Sequence, residues 1–114
     1  MSEFLFLYRG ALRGPSPEEM QQQMQKWMAW MKELEDKGHM KDRGHPLERV
    51  GKLVRGTSKM VTDGVFTESK DVIGGYTLIV ARDLAQAVEL SKGCPIFAAE
   101  SGTVEVRPIL TLDV

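Results

Sequence analysis

The chain has 114 residues, 42% hydrophobic and 27% charged, the balance of one soluble globular domain; this excludes collagen-like, low-complexity and largely disordered chains. Its net charge is −1, so the electrostatic footprint of a nucleic-acid binder is missing and no direct nucleic-acid contact is expected. Lone Cys94 can form no internal disulfide and no Cys-rich zinc site, and no apolar run approaches the roughly 20 residues of a membrane span.

The opening MSEFLFLYRG has too short an apolar stretch for a signal peptide, so a cytoplasmic location is expected. Residues 3–9 read as a strand, with Phe4, Phe6 and Tyr8 on one face and Leu5 and Leu7 on the other. Apolar side chains on both faces predict a strand covered on both sides. Gly10, Gly14 and Pro15 then break the pattern.

Ser16-Pro17-Glu18-Glu19 is a helix start: Ser16 caps, Pro17 suits the first turn, and Glu19 sits at the capping-box position. Met20, Met24, Trp27, Met28, Met31 and Leu34 follow in steps of three and four, with Trp30 at the stripe edge. The spacing predicts one amphipathic helix over 17–37, its Met stripe in the core and Trp30 partly exposed or at an interface.

Residues 38–75 are rich in glycine, and short strands are expected over 48–54 and 58–62, joined by a turn at Arg55-Gly56-Thr57. A charged loop, DGVFTESK at 63–70, follows. Residues 73–81 read as a second buried strand, with Tyr76, Leu78 and Val80 opposite Thr77, Ile79 and Ala81. Asp83 caps a second helix with Gln86 in the box position, and Leu84, Ala87, Val88, Leu90 and Ser91 are expected on its inner side. Gly93 and Pro95 end it, and residues 103–110 form the last strand.

The order is a β-α-β-β-α-β sandwich, an α+β ferredoxin-like arrangement in a single domain over 1–114. Right-handed crossovers put both helices on one sheet face. The other face carries Leu5 and Leu7 and needs a cover, so a homodimer packed through the helix-free sheet face is expected.

The segment Asp63-Gly64-Val65-Phe66-Thr67-Glu68-Ser69-Lys70, then Gly74-Gly75-Tyr76, resembles the YCII-related domain family, and within it the DGPF-domain subgroup. That subgroup's signature is DGPF-x-E-x-K followed by a glycine pair and a hydrophobic strand. Val65 stands where the signature has Pro. The opening YRG at 8–10, SPEEM at 16–20 and VEVRPI at 104–109 are also similar to the family, so the resemblance spans nearly the whole chain. It implies a ferredoxin-like fold assembled as a dimeric α+β barrel. It also implies enzymes with a His–Asp pair in a cleft; here the first helix carries no His, and only Asp63 is carried over. DGPF-domain proteins tend to be encoded beside ECF-type sigma factors, which implies a regulatory setting.

The loop bearing Asp63, Glu68 and Lys70 is the first site candidate, because a charged loop beside a buried strand is well placed for function. Asp63 is the candidate catalytic base. The plainer reading is an Asx-turn at Asp63 and a Glu68–Lys70 ion pair. Arg9 and Arg107 end two strands that this topology makes neighbours, so they can bind a carboxylate or phosphate together. The alternative is ion pairing with Glu3, Glu105 or Asp63. His39 and His45 show no recognised metal-ligand spacing, and neither a metal nor any other cofactor is implied. Three functions follow: a small-molecule-binding or enzyme-like protein with a polar cleft near Asp63, a non-enzymatic regulatory or protein-interaction module associated with transcription, or a structural dimer without chemistry.

Overall fold

The computed structural model describes residues 1–10, 16–63 and 72–112. Its main sheet is antiparallel and has four strands, β1 (Ser2–Arg9), β2 (Met40–Asp42), β5 (Ile73–Ala81) and β6 (Thr103–Pro108), in the order β2-β5-β1-β6. Helix α1 (Pro17–Asp36) and helix α2 (Leu84–Ser91) follow β1 and β5. This order, with β1 and β5 central, is compatible with a ferredoxin-like α+β fold. No helix among the described residues is long and apolar enough to cross a membrane.

Alternation on the central strands sorts the side chains. Phe4, Phe6, Tyr8, Thr77, Ile79 and Ala81 are buried, while Leu5, Leu7, Tyr76, Leu78 and Val80 are half-buried on the other face. Trp30, Met31 and Leu34 from α1 and Ala87 from α2 join the buried set, so both helices cover one face, as expected. Both N-caps also hold, although among the described residues the Glu19 side chain makes no return bond to Ser16. Ser16 Oγ accepts from the Glu19 amide at 3.2 Å. Asp83 Oδ1 accepts from the Gln86 amide at 2.8 Å, and Gln86 Oε1 accepts from the Arg82 amide at 2.7 Å.

The helix faces differ from the sequence expectation. Trp30 is only 6% exposed, whereas Met20, Met24 and Met28 are half exposed or more. The seated residues are Gln23, Trp27, Trp30, Met31 and Leu34, so Trp27, Met31 and Leu34 of the expected stripe are seated and its Met20, Met24 and Met28 edge is not. The indoles decide the choice, because they remove more apolar surface from water than the thioethers do. Trp30 stacks on Phe6 with centroids 6.1 Å apart, and Trp27 meets the Tyr8 ring edge-on at 4.8 Å. On α2, Leu84 and Val88 are exposed rather than inward, and Ala87 and Ser91 take the contact. Small residues there let a short helix lie close to the sheet.

The sequence strands at 48–54 and 58–62 do not supply the strand that returns from α1. That strand is β2, three residues long directly after the helix end, too short to show alternation. The expected pair instead forms a separate antiparallel ribbon, β3 (Leu53–Arg55) with β4 (Met60–Thr62). The ribbon makes no extensive contact with any other described element. The Cα radius of gyration is 15.8 Å, above the value of about 13 Å for a compact chain of about 100 residues.

Candidate functional site

The open face of the sheet carries the polar groups that the topology brings together. In an antiparallel pair, residues directly opposite share a face. Leu7 lies opposite Glu105 on β6 and opposite Tyr76 on β5. Beyond Tyr76 the chain after β2 returns to the same edge: Pro46 bridges Gly75, and the Tyr76 amide donates to the His45 carbonyl at 3.4 Å. The His45 ring meets the Tyr76 ring edge-on, centroids 6.2 Å apart. A belt of Glu105, Leu7, Tyr76 and His45 thus crosses the sheet.

Arg9 and Arg107 flank the belt. Arg9 is displaced two residues from Leu7 along β1, and Arg107 two residues from Glu105 along β6. Glu105 bridges the two guanidinia: Arg9 Nη2 lies 2.8 Å from Oε1, and Arg107 Nη1 lies 3.1 Å from Oε2. The Arg9 and Glu105 side chains are 28% and 30% exposed. Arg9 Nε is buried and has no hydrogen-bond partner among the described residues. Such a donor costs about 1–3 kcal/mol while unsatisfied, so an incoming acceptor gains from meeting it.

The two arginines that the sequence places on neighbouring strands are therefore brought together, on one shared carboxylate. Asp63 is not part of that cluster. It stands exposed at the foot of the ribbon, where Lys52 Nζ donates to its Oδ1. Glu68 and Lys70 lie outside the described residues. The chain re-enters the sheet at Ile73, paired with Arg9 across a bulge at Tyr8/Arg9. The described chain thus resumes at the Arg9 end of the open face.

Sequence reasoning missed Tyr76 and His45 as members of this belt, and took Glu105 only as an ion-pair partner. The alternation of Tyr76 with Thr77 put it on the open face, but only the register sets it beside Leu7. His39 has a different place: its Nδ1 lies 2.9 Å from the Val80 carbonyl oxygen and donates there. Among the described residues no group of three His, Cys, Asp or Glu side chains could hold a metal. Cys94 is buried, and desolvation pushes its thiol up to about 12, away from nucleophilic use at neutral pH.

A second concavity of about 580 Å3 lies on the helix side, between α1 and α2, with Trp30 and Leu34 on its wall. Its charges are partly spent at its rim, since Lys37 pairs with Glu33 at 2.7 Å and Glu89 with Lys92 at 2.7 Å.

The family model for the YCII-related domain matches residues 8–113. The chain belongs to the YCII-related domain family. A search of curated proteins gives no match. The YCII-related match spans both helices and ends beyond β6, so Glu105, Tyr76 and His45 of the open-face belt lie within it and Leu7 lies one residue before it.

Proposed function

We propose that this YCII-related protein is a homodimeric, enzyme-like binder of a small anionic molecule. Two copies pack through their helix-free sheet faces into a dimeric α+β barrel, and the ligand lies between the faces at Arg9 and Arg107. The observation that carries the reading is the Arg9 guanidinium on the open apolar face with its Nε buried and without a hydrogen-bond partner among the described residues. A carboxylate or phosphate oxygen satisfies it, and a planar guanidinium suits both groups.

Other observations support the same reading. Leu5, Leu7, Tyr76, Leu78 and Val80 form a half-buried apolar face that neither α1 nor α2 covers. A second copy removes that surface from water, at about 25 cal/mol per Å2. In this reading Asp63 is the candidate base, and Glu68 and Lys70 contact the ligand from the segment that leads to Ile73. The signature-like run from Asp63 to Lys70 supports membership of the DGPF-domain subgroup.

Thermal-shift and calorimetric titration with small carboxylates and phosphate esters test the reading. A stabilising shift that Arg9→Ala abolishes is expected, with a weaker loss for Arg107→Ala. No shift from any compound, or an equal shift in Arg9→Ala, overturns it. Light scattering tests the assembly: the wild type is expected as a dimer, and Leu7→Lys as a monomer.

The exposed β3–β4 ribbon favours the second reading, a regulatory or interaction module associated with transcription. It predicts a protein partner at the ribbon and no small-molecule shift.

A further inference from the structure

The concavity between α1 and α2 holds a donor that nothing in the described chain uses. Trp30 is only 6% exposed, yet its indole N–H donates to no acceptor among the described residues. Gly93 lies against that nitrogen, since a Cβ there would stand 3.1 Å from Nε1. Both residues line the concavity, so the N–H stands on its wall. A donor taken from water without a new partner carries a desolvation cost, and an acceptor that enters the concavity relieves it.

Charge on the same wall points to an anionic acceptor. Lys26, Trp30, Glu33 and Lys37 follow one another along α1 in steps of three and four, so they form one stripe facing the concavity. Lys37 is held by Glu33 at 2.7 Å, and Glu89 on the facing wall is held by Lys92 at 2.7 Å. Neither pair crosses from one helix to the other, so neither closes the groove. Lys26 makes no ion pair among the described residues. The wall therefore offers an uncompensated positive charge and a free N–H, one helical turn apart.

The rest of the lining is apolar, with Leu34 from α1 facing Leu90 and Pro95. At about 580 Å3 the concavity falls within the roughly 300–1,000 Å3 of small-molecule sites.

We infer that this concavity binds a monocarboxylate with an apolar body. One carboxylate oxygen accepts from Trp30 Nε1, the other meets the Lys26 ammonium, and the body lies against Leu34, Leu90 and Pro95. A dianionic phosphate ester suits the site less, because one lining cation is unspent and Glu33 and Glu89 stand at the same rim. The site is on the helix side of the sheet, and it stays open when two copies meet through their helix-free faces. It requires neither that dimer nor the ligand proposed for Arg9.

The test is an NMR titration of the 15N-labelled full chain with sodium octanoate. The chain has two tryptophans, hence two indole N–H signals, and the one with a nuclear Overhauser contact to Gly93 is that of Trp30. A saturable shift of the Trp30 signal is expected. Lys26 is exposed, so Lys26→Gln keeps the fold. Its affinity for octanoate is expected to fall about fivefold with the loss of a charge-assisted contact. Octanol has the apolar body without the charge, and acetate has the charge without the body. Each is expected to bind at least about tenfold more weakly than octanoate. An unmoved Trp30 signal, an equal affinity for octanol or acetate, or full affinity in Lys26→Gln overturns the inference. In Arg9→Ala, octanoate is expected to move the Trp30 signal as in wild type. Loss of the response in Arg9→Ala puts the carboxylate on the open face and overturns the helix-side site alone. An intact response to octanoate, beside small carboxylates and phosphate esters that cause no Arg9-dependent thermal shift, overturns the open-face reading alone.

Discussion

Tyr8 donates its hydroxyl hydrogen to Thr77 Oγ1 at 2.7 Å, tying the two central strands together inside the core. Thr77 Oγ1 in turn lies 2.9 Å from the Arg43 carbonyl and donates to it. One buried hydroxyl thus joins β1, β5 and the chain leaving β2. A fully buried threonine in an apolar strand is tolerable because its donor and acceptor are both used. Thr77→Val keeps the shape but leaves the Tyr8 hydroxyl without its acceptor and the Arg43 carbonyl without its donor. The expected loss is about 2 kcal/mol, and Tyr8→Phe is expected to lose about 1 kcal/mol, because Thr77 can still donate. Urea denaturation measures both.

The same burial sets the alkaline behaviour. Desolvation raises the Tyr8 phenol well above its ordinary 10.0, although the Thr77 hydrogen bond opposes the shift, and pushes the Cys94 thiol from 9.0 up to about 12. Both groups are neutral when protonated, and folding favours that form. Their contribution is therefore complete below the unfolded pKa and is lost as pH rises towards the folded value. Urea midpoints are expected to hold to about pH 8.5 and then fall, first through Cys94 and then through Tyr8. Cys94→Ala with Tyr8→Phe starts less stable but flattens the decline between pH 9 and 11. An equally steep decline would show that other groups govern it.

Gly44 makes a sharper test of backbone geometry. Its φ is +70°, and a Cβ there would lie 1.8 Å from the Tyr76 carbonyl oxygen, a backbone atom that cannot swing away. Gly38 has a similar φ of +79° with nothing within 4 Å of a Cβ. Gly38→Ala is expected to cost about 1 kcal/mol, the price of the left-handed conformation alone. Gly44→Ala is expected to cost more than about 3 kcal/mol and to displace His45 from Tyr76. Thermal melts of the two variants compare the terms directly.

Much of this was legible in the sequence, and the failures share a cause. The alternating faces of β1 and β5, both helix starts and the two-helix, one-face architecture follow from local chemistry. Ser16, Asp83 and Gln86 act where their side chains reach neighbouring amides, so spacing alone placed them. Met31 and Leu34 of the expected stripe are buried, but Met20, Met24 and Met28 are not, because two lines on α1 satisfy the same period and choosing between them requires the sheet. β2 failed because three residues carry no period. Arg9 and Arg107 were placed on neighbouring strands correctly, yet their common carboxylate depends on register, which no single strand records. Asp63 was attractive as a loop acid, but the sequence could not show that Lys52 folds back on it across the ribbon.

The corrected helix face gives its own prediction. Trp30 is buried against Phe6, Trp27 and Tyr8, and Gly93 approaches its indole closely. Trp30→Ala is expected to cost about 3–5 kcal/mol by loss of burial and formation of a cavity. Met24→Ala, on the exposed line, is expected to change the stability of the isolated chain by less than about 0.5 kcal/mol. Denaturation at low protein concentration, where chains are separate, makes the comparison. Equal losses would restore the Met line to the core.

Glu105 offers the most direct lever on the open face. Its carboxylate is shared by Arg9 and Arg107, one oxygen to each. In the free protein it neutralises the positive charge that an anionic ligand requires, so it competes with that ligand for the same donors. Glu105→Gln keeps the shape and removes the charge. Exposed and half-exposed pairs are worth roughly 0–1 kcal/mol, so the stability loss is expected to stay below about 1 kcal/mol. The affinity for a small phosphate or carboxylate is expected to rise by about fivefold, and binding is expected to become more sensitive to salt. Calorimetric titration of Glu105→Gln beside Arg9→Ala separates the two effects. A Glu105→Gln variant that binds more weakly than wild type would mean that the carboxylate orients Arg9 rather than competing for it.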